Sequence, residues 1–179
     1  INENKDYLNS FIKKDERIIW TLIMGGPTKY YDYSTKNIKE IFTTLSELSK
    51  KHNFQLVIIP SMRTPTNIIQ YANDYFGDDH TVIMDVDKKA YLSALAIAQN
   101  IIVTCDSSSM ISEAALTGKP IYVASILPKK NDKRFQKFRN LFRELNIIKN
   151  LGEEIEHWSY EKLDETNRVA NIIKQKINL

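Results

Sequence analysis

The sequence lacks several features that would assign its chemistry at once. It contains one cysteine, Cys105, so no disulfide can form within the chain and a reducing compartment is expected. No apolar run approaches the roughly 20 residues that a membrane span requires. The three histidines, His52, His80 and His157, lie far apart and lack metal-ligand spacing, so no metal is expected. No GxSxG elbow, no GxGxxG fingerprint and no GxxxxGK[ST] phosphate loop is present. The formal charge of +3 is too small to imply nucleic acid by itself. The chain opens on Ile1 without a secretory pattern, which raises the expectation of an upstream part and a cytoplasmic setting. Abundant Asn, Ile and Lys fit an AT-rich, bacterial-type genome.

What is present is a globular composition, 42% hydrophobic and 26% charged, in a length suited to one domain with a real core. After a polar lead-in over 1–17, expected to be helical, apolar runs alternate with amphipathic segments. RIIWTLIMGG, FQLVIIPS, HTVIMDV, NIIVTC and PIYVASI read as five buried strands. Between them, STKNIKEIFTTLSELSKKH places Ile38, Ile41, Phe42, Leu45 and Leu48 at helical spacing behind a Ser34 cap. TPTNIIQYANDYFG, KKAYLSALAIAQ and SMISEAALTG supply further helices, and a basic amphipathic helix over about 131–145 and a last helix over 163–177 follow. This alternation predicts an α/β protein over 1–179: a Rossmann-like parallel sheet with helices on both faces.

Ligands of such sheets bind beyond the carboxyl ends of the strands, so the loops there carry the candidates. In GGPTKYYDYS, Gly25 and Gly26 allow close backbone approach and Lys29 can meet an anion, although a tight turn is an equal reading. In PSMRTPT, Arg63 stands between Ser61 and Thr64 at a helix start, an arrangement suited either to phosphate or to an ordinary cap. Asp85 and Asp87 can be read as a cation-binding DxD pair, but Asp87 sits where a helix cap belongs and that reading is preferred. In VTCDSSSMISEAALTGKPIYV, Asp106, Ser107, Ser108 and Ser109 precede a helix whose free N–H groups favour anions. Glu113 follows Ser109 by one turn on the same face, where its carboxylate can accept two hydrogen bonds from a vicinal diol. Cys105 reads as a small buried strand-end residue. The run Lys129, Lys130, Lys133, Arg134, Lys137, Arg139 and Arg143 is a solvated helix face or a contact for anionic lipid, phosphate or another domain. Phe135, Phe138, Leu141 and Phe142 are expected to face the core. The charged face lacks aromatic interleaving, which argues against nucleic acid.

The ordered segments IMGGPTKYY, PSMRTP, CDSSSMISEAALTGKPIYV and WSYEKLDETNRVA resemble the family named for the mitochondrial fission "elongated mitochondria" protein, over about residues 18–175. The family pattern reads GGPS(K/R)HY, TSRRTP, TxDSxSMxSEA and WxYxPLxET; this chain departs at Met62, commonly arginine, and at Thr28, commonly serine. The resemblance extends to GT-B glycosyltransferases, two Rossmann-like domains across a cleft, and implies that this chain is the C-terminal, donor-binding half. An N-terminal Rossmann-like domain would then complete the cleft in cis, and the fragment alone would be inactive. Carried over by motif position, Gly25, Gly26 and Thr28 would face a diphosphate and Glu113 a nucleotide ribose. Ser107, Ser109 and Met110 would line the sugar or phosphate side, and Arg63 would add an anion contact. The implied ligand is a UDP- or GDP-linked sugar, as substrate and without a further cofactor. Plant members of the family are tied to recruiting a dynamin-related fission protein, so the same resemblance also implies a non-catalytic adaptor as the alternative.

Overall fold

Strands with apolar side chains on both faces need cover on both faces, and the chain supplies it. The computed structural model describes residues 1–152 and 154–177; Glu153 and the last two positions of the expected domain, Asn178 and Leu179, lie outside the described residues. The strands are β1 (Ile18–Met24), β2 (Phe54–Pro60), β3 (Thr81–Val82), β4 (Asn100–Thr104), β5 (Ile121–Ala124) and β6 (Ile148–Asn150). They form one sheet in the order β3-β2-β1-β4-β5-β6 with every neighbouring pair parallel. The helices are α1 (Thr35–His52), α2 (Thr66–Phe76), α3 (Lys88–Ile97), α4 (Ser108–Ala115), α5 (Lys133–Glu144) and α6 (Glu165–Lys176).

Period-two alternation in β2 divides the core. Leu56 and Ile58 join the larger cluster, with Trp20, Phe42, Leu45 and Tyr122. Val57 and Ile59 face the smaller one, with Leu8, Ala90 and Ala94. In the larger cluster Trp20 stacks between Phe54 and Tyr122 at centroid distances of 4.3 and 5.5 Å. Helix α1 enters behind Ser34, whose Oγ accepts the Asn37 N–H, and ends at Asn53 in the left-handed region, φ 50°. Asp87 starts α3 by accepting the N–H groups of Lys89 and Ala90 at 2.7 and 3.2 Å.

The structure corrects four expectations. Residues 1–17 form two 3-10 turns, Asn2–Asn4 and Tyr7–Ser10, in place of a lead-in helix. Only Leu8 of these turns is buried, and its N–H donates to Ser93 Oγ while Ser93 Oγ donates to Lys5 O, so tertiary bonds take groups a helix would use. The third strand is confined to Thr81–Val82 at the sheet edge, with one further bond from the Ile83 N–H to Ile58 O at 3.0 Å, and Met84 and Val86 beyond it are exposed. A sixth strand, β6, adds to the five expected; it is three residues long and pairs in parallel with β5. On α5, Arg139 is buried and Leu141 is half exposed, the reverse of the expected faces, because Asp132 neutralises the arginine inside.

His80 is buried beside β2: Nδ1 accepts the Leu56 N–H at 3.2 Å and Nε2 faces Ser49 Oγ at 3.4 Å. Burial lowers its pKa below the usual 6.5. The unfolded chain therefore takes up this proton first, and the stability held by neutral His80 is lost as pH falls from about 6.5 through the lower folded value. The urea midpoint of the wild type should fall relative to that of His80→Gln between about pH 7 and pH 5; parallel pH profiles would contradict the assignment.

Candidate functional site

Strand order reverses between β1 and β4, and their following connections leave the sheet at the carboxyl-end switch point where ligands of such sheets bind. Gly25 and Gly26 leave β1 there, Ser61 to Thr64 leave neighbouring β2, and Cys105 to Ser107 leave β4. One carboxylate ties these loops together. The Asp106 side chain is fully buried, and its Oδ2 accepts the Gly26 N–H at 3.0 Å and an Arg63 Nη2–H at 2.9 Å. Arg63 Nη1 also donates to Gly26 O at 2.8 Å. Thr64 Oγ1 accepts the Ser61 N–H at 2.8 Å and lies 3.0 Å from Met24 O and 2.6 Å from Gly25 O, to which it donates. The Gly25 N–H donates to Thr104 Oγ1 at 2.8 Å, which also accepts the Tyr33 hydroxyl at 3.0 Å.

The two glycines are required for space. A Cβ on Gly25 would stand 2.1 Å from Asp106 Oδ2, and one on Gly26 would stand 2.0 Å from Arg63 O. Neither glycine has positive φ; among the described glycines only Gly118 does. The close approach expected from the glycine pair is thus to the protein's own Asp106 and Arg63. Asp106 Oδ1, equally buried, has no hydrogen-bond partner among the described residues.

The β4 loop is also held from α5. Arg139 Nη1 donates to Cys105 O at 3.1 Å and to the Tyr31 hydroxyl at 3.0 Å, while Nη2 donates to Asp132 Oδ2 at 3.0 Å. Asp132 also accepts from the Tyr31 hydroxyl and from Gln136 Nε2. Burial pushes the Asp132 carboxyl up, yet these donors outweigh it and hold the group below the usual range. Tyr31, Asp132 and Arg139 were not among the predicted site residues. The available signal was an acid at the α5 cap seven residues before an arginine, two turns apart on one helix face. Cys105 is buried, its thiol pushed up by burial, with Sγ 3.2 Å from the Ile126 N that donates to it.

The remaining candidates divide by exposure. Thr28 Oγ1 accepts the N–H groups of Tyr30 and Tyr31 at 3.0 and 3.1 Å and shapes the turn. Ser107 caps α4 by accepting the Met110 N–H at 3.4 Å. Met110 packs in the larger core cluster rather than lining the rim. Ser61 is half-buried and Thr64 buried. Lys29, Arg63, Ser109 and Glu113 remain exposed at the rim, Lys29 Nζ lying 4.9 Å over the Tyr30 ring. Glu113 Oε2 accepts the Tyr91 hydroxyl at 2.7 Å, an α3–α4 contact that sequence reasoning missed because 22 residues separate the partners. Burial and this hydrogen bond raise the Tyr91 pKa, so the hydroxyl stays a donor. Among the described residues, no group of three or more His, Cys, Asp or Glu side chains is placed to hold a metal ion, and no helix is long and apolar enough to cross a membrane.

A family model described as Mitochondrial fission ELM1 matches residues 1–177. An uncharacterized protein of Rickettsia prowazekii is 34% identical over 164 residues, 86% of this chain and 45% of its own length. The mitochondrial fission protein ELM1 of Arabidopsis thaliana is 30% identical over 122 residues, 65% of this chain and 28% of its own. The chain therefore spans less than half the length of these relatives. Among solved structures, the fold matches UDP-GlcNAc 2-epimerase of Methanocaldococcus jannaschii in complex with UDP-GlcNAc and UDP, with TM-score 0.60, 14% identity, and 98% of this chain on 49% of that one. S. aureus MnaA with UDP gives TM-score 0.58 and 16% identity, 98% of this chain on 52% of that one. Neisseria meningitidis UDP-GlcNAc 2-epimerase bound to UDP-GlcNAc gives 0.52 and 20% identity, 99% on 40%. These likenesses establish a GT-B-like, Rossmann-type fold.

Because its Cβ would strike the Asp106 carboxylate, Gly25→Ala should cost about 2 kcal/mol of stability. The cost should shrink in an Asp106→Ala background when measured as a double-mutant cycle in urea; equal costs in both backgrounds would show that something else sets the space at Gly25.

Proposed function

The chain belongs to the Mitochondrial fission ELM1 family, and we propose that it is the nucleotide-sugar-binding half of a GT-B-like glycosyltransferase. The observation that carries this reading is the set of exposed groups that follow the strands of the β1/β4 switch point and neighbouring β2: a guanidinium, a hydroxyl at a helix N-terminus and a carboxylate one turn later. The solved structures of similar fold, which hold UDP or UDP-GlcNAc, support the ligand class. A rest of the protein, contributing a second Rossmann-like domain, would close over the rim and supply the acceptor and any general base. This half alone would then be inactive.

Each rim residue has a definite part in that reading. Arg63 uses donors on Nη1 and Nη2 inside the protein, and its guanidinium carries five N–H groups in all, so donors remain for a phosphate oxygen. The N–H groups opening α4, with Ser109, add positive potential on the same rim, and exposed Lys29 adds a cation. Together they would stabilise a departing UDP or GDP electrostatically, with no obligatory metal. Tyr91 fixes Glu113 Oε2, which leaves Oε1 for a ribose hydroxyl. The diphosphate would sit nearer Arg63 and α4 than the glycine pair, since the Gly25, Gly26 and Thr28 N–H groups donate within the protein.

Those internal bonds also favour a second reading, a non-catalytic adaptor that keeps the fold and presents its surface to a protein partner. Calorimetric titration of the full-length protein with UDP- and GDP-sugars separates the two. Binding of one of them, weakened about tenfold or more by Glu113→Ala through loss of a charged acceptor, is the expected result. No binding of any nucleotide at millimolar concentration would refute the donor-site reading and favour the adaptor.

A further inference from the structure

The chain's excess positive charge is concentrated in one place. Between Lys129 and Arg143 lie seven cations and one acid, a net +6, whereas the whole chain carries +3 and the remaining residues therefore sum to −3. The structure sharpens this asymmetry. Asp132, the single acid of the segment, is buried and consumed by Arg139, Tyr31 and Gln136. Lys129, Lys130, Lys133, Arg134 and Lys137 are exposed, and none is within ion-pair distance of a carboxylate among the described residues.

A leucine stands beside these cations. Leu127 is 82% exposed at the start of the β5–α5 connection. The backbone around it is fixed: Pro128 bridges to Tyr31 and the Lys129 N–H donates to Tyr30 O at 2.6 Å. An aliphatic side chain held out in water next to unpaired lysines suits the boundary between headgroups and acyl chains. The aromatic rings of α5 are largely engaged with other rings, Phe135 against Tyr30 and Tyr31 and Phe138 against Phe142. Half-buried Phe138 alone lines the groove beside Lys133, Arg134 and Lys137, which is less than the run of exposed rings that stacks bases.

We propose that Leu127 and the cations of Lys129 to Lys137 form a peripheral docking surface for an anionic lipid membrane, Leu127 entering the interface and the lysines and arginine meeting lipid phosphates and carboxylates. This surface is independent of the nucleotide-sugar reading, since none of its residues is assigned to that site.

Co-sedimentation of the full-length protein with phosphatidylcholine vesicles, with and without about 30% phosphatidylserine, tests it. Binding should require phosphatidylserine and weaken with added salt. Neutralising three charges in Lys130→Gln/Lys133→Gln/Lys137→Gln should lower the partition coefficient about a hundredfold, several-fold per charge. Leu127→Ser should lower it about tenfold while leaving the salt dependence in place. Both variants change exposed residues, so an unchanged thermal melt accompanies the expected result. Equal binding to both vesicle types, full binding by the triple variant, or capture by a duplex oligonucleotide without vesicle binding would each overturn the proposal.

Discussion

A carboxylate taken out of water must find donors, and Asp106 finds them on two other loops: the Gly26 amide after β1 and the Arg63 guanidinium after β2. The rim of the sheet is built around that requirement. Gly25 and Gly26 are glycines because any Cβ would occupy the space of Asp106 or the Arg63 backbone. Thr64 fastens the β2 loop to the carbonyls of Met24 and Gly25, and Arg139 fastens the β4 loop from the opposite side through Cys105 O. Three connections that a bare sheet would leave independent are thereby held as one surface.

This clamp divides the polar residues at the rim into two groups. Those that point inward set the geometry: Asp106 Oδ2, Thr64, Thr104 and the loop amides bond to one another. Those that remain outward, Arg63 in part, Ser109 and Glu113, are carried on the rigid group and inherit its positions. A site assembled this way has its donors oriented before a ligand arrives, which reduces the ordering cost of binding. The same economy explains why a motif rich in glycine and serine offers few free backbone amides.

Much of the architecture was legible because it depends on local pattern. The buried strands announced themselves as apolar runs, and Ser34 and Asp87 stood at the helix starts they cap. Less visible were features fixed by distant partners. The short edge strands β3 and β6 acquire their ladders from neighbours rather than from their own few residues. The lead-in carries scattered apolar positions that suit a helix, yet its buried anchor, Leu8, is held by Ser93 on α3. Arg139 looked like one cation among many until Asp132 and Tyr31 enclosed it. At the site, the loops and most of the candidate residues could be located in sequence, but not the division of labour among them: that Gly26 faces Asp106, that Met110 belongs to the core, or that Tyr91 orients Glu113, depends on where strands sit in the sheet.

The central claim is that the rim clamped by Asp106 is where this family member receives a nucleotide-sugar. Amide chemical-shift mapping of the protein with saturating UDP-sugar and GDP-sugar addresses it directly. The account predicts shifts concentrated at Thr28 to Tyr30, Ser61 to Thr64 and Ser107 to Glu113 with one of the two, and quiet amides along β3 and β6. Shifts confined to other surfaces, or none at millimolar nucleotide-sugar, would contradict it.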